Sequence, residues 1–128
     1  MTEQELSKIV VDLCLKIHRG LGPGLFESVY ESVLCYELDK MGIAYQRQVP
    51  IPVIWDSQVL GDAFRADVIV DQKVLIELKS LETTSAVHKK QVITYLKLSG
   101  LKLGLLVNFG EELMKTGITR LLNGEVEQ

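Results

Sequence analysis

Apolar positions recur at helical spacing from the start of the chain: Leu6, Ile9, Val10, Leu13 and Ile17 predict a helix over about residues 4 to 20. Gly20, Gly22, Pro23 and Gly24 then form a dense set of breakers that ends it. A second helix is predicted from about Leu25 to Met41, with Gly42 as its stop. Tyr30, Leu34, Leu38 and Met41 form its apolar stripe, widened by Phe26, Val29 and Val33, while Ser28, Ser32, Cys35 and Asp39 fall on the polar side. Glu27 lies within the stripe, whereas Glu31, one turn on, sits nearer its edge and is expected to reach solvent.

Beyond Gly42 the period changes from helical to extended. Ala44 to Trp55 reads as one or two extended segments, confined to an edge or a bend by Pro50 and Pro52. Ala63 to Val70 and Lys73 to Leu78 are β-rich runs joined by the polar Asp71-Gln72, which predicts a hairpin. Helical spacing returns from Ser85 to Leu98 and stops at Ser99-Gly100. Leu101 to Phe109 is almost uncharged and reads as a central strand. After Glu111 the pattern is ambiguous, with Ile118 to Leu122 a candidate edge strand. The order is helix, helix, three or four strands, helix, strand; with four strands it is α-α-β-β-β-β-α-β. A hairpin followed by a crossover helix implies an α/β fold with a mixed central sheet flanked by helices.

Composition narrows the class. No repeat or linker divides the 128 residues, so 1–128 is expected to be a single domain. Apolar residues at 47% and charged residues at 24% are the balance of an ordinary folded protein, which argues against disorder. No apolar run approaches the roughly 20 residues of a membrane span, and the opening Met1-Thr2-Glu3-Gln4-Glu5 is unlike a signal peptide. Cys14 and Cys35 lack the spacing of a zinc or iron–sulfur site and fit buried, reduced thiols in a cytoplasmic protein. A net charge of −3 argues against coating nucleic acid by bulk electrostatics, but not against a protein that uses carboxylates locally.

Three polar residues interrupt the hairpin. Alternation puts Leu75, Glu77 and Lys79 on one face of their strand, opposite Val74, Ile76 and Leu78. On the preceding strand Phe64, Ala66, Val68 and Val70 read as one face, with Arg65, Asp67 and Ile69 on the other. If the apolar faces share a core, Asp67, Glu77 and Lys79 converge. Two carboxylates and an ammonium at that distance suit a hard divalent cation, an attacking water and a phosphate. A solvated strand face carrying a weak surface ion pair would show the same residues. Glu27 on an inward helix stripe has to be paired, protonated or metal-bound, unless it is a first-turn acid that serves the helix dipole. On the third helix His88, Gln91 and Tyr95 share a largely apolar face beside Val87 and Leu98. Gln91 and Tyr95 could orient a site residue or bind a phosphate, or simply bound the core, while His88 beside Lys89 and Lys90 reads as a surface residue.

Gly24-Leu25-Phe26-Glu27-Ser28-Val29-Tyr30 resembles the pattern that names the GxxExxY protein family. Phe64-Arg65-Ala66-Asp67, Ile76-Glu77-Leu78-Lys79 and Gln91-x-x-x-Tyr95 are similar to that family's other landmarks, in order over about residues 5 to 110. The family is placed in the PD-(D/E)xK nuclease superfamily, closest to its RecB-type branch. The resemblance implies a restriction-endonuclease-like core. It also implies that Glu27, Asp67, Glu77 and the Leu78 carbonyl bind Mg²⁺ or Mn²⁺, and that Lys79 is the lysine of the signature. Gln91 and Tyr95 would be the helix element beside the active site. Ala66 stands where many members have proline, and no cysteine quartet for an iron–sulfur cluster is present.

The resulting expectation is a metal-dependent nuclease acting on nucleic acid, with DNA as the favoured substrate. The alternatives are a nucleic-acid-binding module without turnover and a protein-interaction domain on the same fold. A homodimer or a partner protein would suit so small a chain, and no membrane association is expected.

Overall fold

The computed structural model describes residues 1–126. Helix α1 (Glu3–Leu21) opens with a capping box between Thr2 and Glu5 and closes on Gly22. It buries Leu6, Val10, Leu13 and Ile17 on the stripe that the spacing predicts. Helix α2 (Glu27–Lys40) follows after the short glycine-rich link. Its buried side is Tyr30, Glu31, Leu34, Cys35 and Leu38. The apolar arc is therefore rotated from the expected one: Phe26, Val29 and Met41 are exposed, and Cys35 and Glu31 are inside. Hydrophobic spacing misjudged this helix because several of its apolar side chains face solvent while an acid faces inward.

Residues 44 to 55 give one strand, β1 (Tyr45–Trp55), so three strands precede the third helix. β1 pairs with β2 (Gln58–Val70) through a two-residue turn at Asp56-Ser57, where both residues have positive φ. β2 starts five residues before the expected Ala63. Its outer half is exposed on both faces and so carries no alternation to read. β3 (Val74–Lys79) returns from a tight turn at Asp71-Gln72. Helix α3 (Ala86–Ser99) then crosses to β4 (Leu103–Asn108), which is parallel to β3 and wholly buried, as its lack of charge implied. A short α4 (Met114–Gly117) leads into β5 (Ile118–Leu122), the expected edge strand.

The sheet order is β1-β2-β3-β4-β5, with β3/β4 the parallel pair and the others antiparallel. One face packs on α1 and α2 through residues such as Val68, Val70, Ile76 and Leu105. The other face packs on α3, where Ile69, Leu75 and Leu106 meet Val92 and Leu96. The result is the expected α/β fold with a mixed sheet between helices.

One expectation about faces fails. Phe64 and Ala66 lie on the α3 side, whereas Val68 and Val70 lie on the α1/α2 side. On β1, likewise, Tyr45 packs with the first cluster and Val49 with the second. Both strands thus change face at the level of Gln48 and Asp67, where the β1/β2 ribbon twists sharply away from the rest of the sheet.

Loops at the same end of the sheet are tied together. The fully buried Asn108 accepts N–H groups from Leu81 (2.9 Å) and Gly110 (3.0 Å) and donates to Thr84 (3.1 Å). A Cβ on Gly110 would overlap the main chain of Leu81, so the two loops pass each other at a distance that glycine allows.

Candidate active site

β2 and β3 form a fork. They pair at Val70/Val74, Ile69/Leu75 and Val68/Ile76, and then separate. Beyond that point carboxylates take over from main-chain acceptors. Glu77 Oε1 accepts the Asp67 N–H at 3.2 Å, and Asp67 Oδ2 accepts the Leu78 N–H at 2.8 Å. The two acids bridge strands that no longer touch, satisfying donors that the fork would otherwise orphan. Glu77 is buried and Asp67 half-buried. Burial, with the Asp67 charge beside it, pushes the Glu77 carboxyl up to about 8. Asp67 is raised as well, first by burial and then by the nearby Glu31, against the lowering effect of the Leu78 N–H.

Lys79 lies on the same side of β3 as Glu77, half-buried, and its charge favours the ionised form of Glu77. Among the described residues its ammonium makes no ion pair within 4.0 Å. A surface salt bridge, the bland alternative for this trio, is thus not what the fold builds.

The cavity at the fork is lined by Glu27, Ser28, Glu31, Gln48, Asp67 and Leu78. Glu27 is exposed at its rim rather than on an inward stripe, a correction that follows from the rotated arc of α2. Its charge still reaches Asp67 and Glu77, disfavouring ionisation of both. Glu31 corrects the opposite expectation: it is 6% exposed and held on both oxygens. Arg47 pairs with Oε2 at 2.9 Å, and Gln48 donates to Oε1 at 2.6 Å. Gln48 Nε2 also stands 3.5 Å from Asp67 Oδ1. The sequence offered one hint of Glu31, its position one helical turn after Glu27. For Gln48 it offered none.

Gly24, Glu27 and Tyr30 have separable structural tasks. Gly24 turns the chain at φ 96°, a value that suits glycine alone. Glu27 is then the first residue of α2. Tyr30, fully buried and stacked on Phe109 with ring centroids 4.2 Å apart, donates its hydroxyl to the Gly22 carbonyl at 2.7 Å. The same hydroxyl accepts the Leu25 N–H at 3.1 Å. From the other side Ser80 donates to the Leu25 carbonyl at 2.7 Å. The loop that carries Glu27 is thereby fastened to the strand end that carries Lys79.

α3 brings Tyr95 near the two acids without lining the cavity. Tyr95 is half-buried and stacks on Phe64 with centroids 3.8 Å apart, and burial together with Glu77 and Asp67 raises its phenol. Gln91, one turn earlier, is exposed and makes no side-chain hydrogen bond among the described residues, so the fold places it on the helix without tying it to the carboxylates. His88 serves as the reciprocal partner of Ser85 in the capping box that starts α3. Cys14 and Cys35 are both buried, with thiols pushed up to about 12 and about 11, and neither lines the cavity.

The profile of the PD-(D/E)XK nuclease superfamily matches residues 4–121. The chain belongs to that superfamily. No curated protein and no solved structure matches the sequence. The matched range includes the forked strands with Asp67, Glu77 and Lys79. The sheet and its helices are a restriction-endonuclease-like core.

PD-(D/E)XK nucleases generally use divalent metals, and the donors at the fork fit one. Asp67 and Glu77 are hard oxygen ligands held side by side in a half-buried cleft with no cationic partner within 4.0 Å among the described residues. No group of three His, Cys, Asp or Glu side chains forms a closed cluster among the described residues. Mg²⁺ needs no such cage, since it keeps several waters and takes one or two carboxylates. Among the described residues no helix is long and apolar enough to cross a membrane.

Proposed function

We propose that this chain is a Mg²⁺- or Mn²⁺-dependent phosphodiesterase acting on nucleic acid, DNA before RNA, and that it belongs to the GxxExxY group and the RecB-type branch of its superfamily. The observation that carries the reading is the fork. Two acids there bridge β2 and β3, both are raised by burial with the Asp67 charge adding to the shift of Glu77, and Lys79 beside them makes no ion pair among the described residues. Such an arrangement is costly for a fold that uses it only for stability. It is favourable once a cation and a phosphate complete it.

In this reading Asp67, Glu77 and the Leu78 carbonyl hold the cation, with Glu27 at the rim completing its surroundings. When bound, the cation supplies Lewis-acid polarisation of the phosphate and acidifies a water. Lys79 orients that water or stabilises charge that builds on a phosphoryl oxygen. Tyr95, on α3, buttresses the carboxylates and Lys79. Gln91, free on the same face, meets the substrate by hydrogen bonding.

The test is phosphodiester cleavage of DNA and RNA with Mg²⁺ or Mn²⁺, comparing wild type with Asp67→Ala and Lys79→Ala. Cleavage is expected for wild type only, and chelation with EDTA abolishes it. Equal residual activity in all three proteins identifies a contaminant and overturns the reading.

A further inference from the structure

Five described residues other than glycine have positive φ: Gln48, Asp56, Ser57, Asp71 and Gln72. Four of them form the two turns of the β1-β2-β3 meander, where tight reversal demands it. Gln48, at φ 50°, lies inside a strand. An inserted residue does not explain the kink. Arg47 pairs with Val68 and Val49 with Ala66, so the register is the same on either side, and Gln48 falls opposite Asp67. The register shifts of this ribbon occur further out, around Pro52. The backbone is therefore held in an unfavourable conformation where it faces an acid of the candidate site.

The side chain gives the reason. Its Nε2 lies 2.6 Å from Glu31 Oε1 and 3.5 Å from Asp67 Oδ1. Both partners are carboxylate oxygens, which only accept, so the amide nitrogen has to face them. An amide spans two acids without cancelling either charge. A lysine in its place would neutralise Asp67 and compete with a cation, and a glutamate would repel both neighbours. Arg47 satisfies the other oxygen of Glu31, which leaves Gln48 as the link from that anchored acid to Asp67.

We propose that Gln48 is a positioning residue for the cation site, a neutral donor that fixes the Asp67 carboxylate between β2 and α2 while leaving its charge free. This rests on the nuclease reading above. The experiment titrates Mn²⁺ by calorimetry into wild type, Gln48→Gly and Gln48→Lys, and follows thermal unfolding of each in EDTA. Gln48→Gly relieves the backbone but leaves Glu31 Oε1 without that donor, so its melting temperature is expected to stay near wild type while Mn²⁺ affinity falls about tenfold or more. Gln48→Lys, which pairs with both acids, is expected to melt no lower and to bind Mn²⁺ more weakly still. In a cleavage assay, raising the Mn²⁺ concentration is expected to recover the turnover of Gln48→Gly. Wild-type affinity in both variants overturns the inference while the nuclease reading stands. So does restoration of Mn²⁺ binding by Gln48→Lys, which would make the residue a plain spacer. A wild type that binds no Mn²⁺ overturns the nuclease reading and the inference with it.

Discussion

Glu77 has a protonation behaviour that can be read in the stability of the metal-free protein. Its carboxyl is raised from an ordinary 4.5 to about 8 by burial and by Asp67. A raised folded-state pKa means that the fold favours the protonated form. The contribution is fully present below the unfolded value and is lost as pH rises through the folded one. In EDTA, Glu77→Gln should therefore gain on wild type as pH climbs from about 5, with the difference levelling above about 8. A divalent cation at the upper end should close the gap by replacing the missing proton for wild type but not for Glu77→Gln. Scanning fluorimetry across that range checks both, and a difference that does not vary with pH counts against the assignment. Asp67, Glu77 and Lys79 were legible in the sequence because strand alternation alone places Glu77 and Lys79 together, and the hairpin brings Asp67 opposite. Glu31 and Gln48 were not. The first depends on how α2 rolls on the core, and the second on a kink with no inserted residue to announce it.

At the level of elements, local periodicity was a good guide wherever one side of an element is buried. It placed α1, whose buried positions follow the expected stripe, whereas β3 and β4, buried on both faces, were legible from their apolar composition. On α3 it found the helix but not its inner face, since Val87 and Leu98 are exposed and Val92 and Leu96 are buried. It failed on α2, where Phe26 is 83% exposed and an acid is inside, and on the outer half of β2, which has no buried side. The motif Gly24-x-x-Glu27-x-x-Tyr30 likewise reads as chemistry, yet most of its work is mechanical. The Tyr30 hydroxyl is the clasp that closes the turn from α1 to α2, through one bond to the Gly22 carbonyl and one from the Leu25 N–H. Tyr30→Phe keeps the stack on Phe109 but leaves both main-chain groups without that partner. It should cost about 1–3 kcal/mol in denaturant unfolding. Amide exchange of Leu25 should accelerate, with the exchange of β4 following only the global loss of stability. Protection of Leu25 equal to wild type would show that the loop holds without the clasp, by Ser80 alone.

For the whole molecule, the charge of −3 that spoke against a nucleic-acid coat is unevenly spread. Residues 79 to 102 hold five lysines and one glutamate, a local balance of 5 − 1 = +4 that leaves −7 for the rest. Much of that segment is α3, the helix that carries Tyr95, with Lys89, Lys90 and Lys97 exposed on it. A polyanion approaching α3 meets attraction from this segment and repulsion from Asp67, Glu27 and, once ionised, Glu77 at the fork. Without a cation the acids oppose the lysines; with one, the repulsive part is masked. At about pH 9, above the raised Glu77 value of about 8, replacing Asp67→Asn and Glu77→Gln together removes two negative charges and keeps the shape of the fork. In EDTA that double variant should bind a DNA oligonucleotide about tenfold more tightly than wild type, the scale expected for two charges several ångströms from a phosphate near a protein surface. Adding Mg²⁺ should tighten wild type toward the same affinity and leave the variant nearly unchanged. Both should weaken as salt rises, because the lysines of α3 release counterions in either case. Fluorescence anisotropy measures all of this without turnover. Equal affinities for the two proteins in EDTA would mean that the phosphate backbone does not pass the fork.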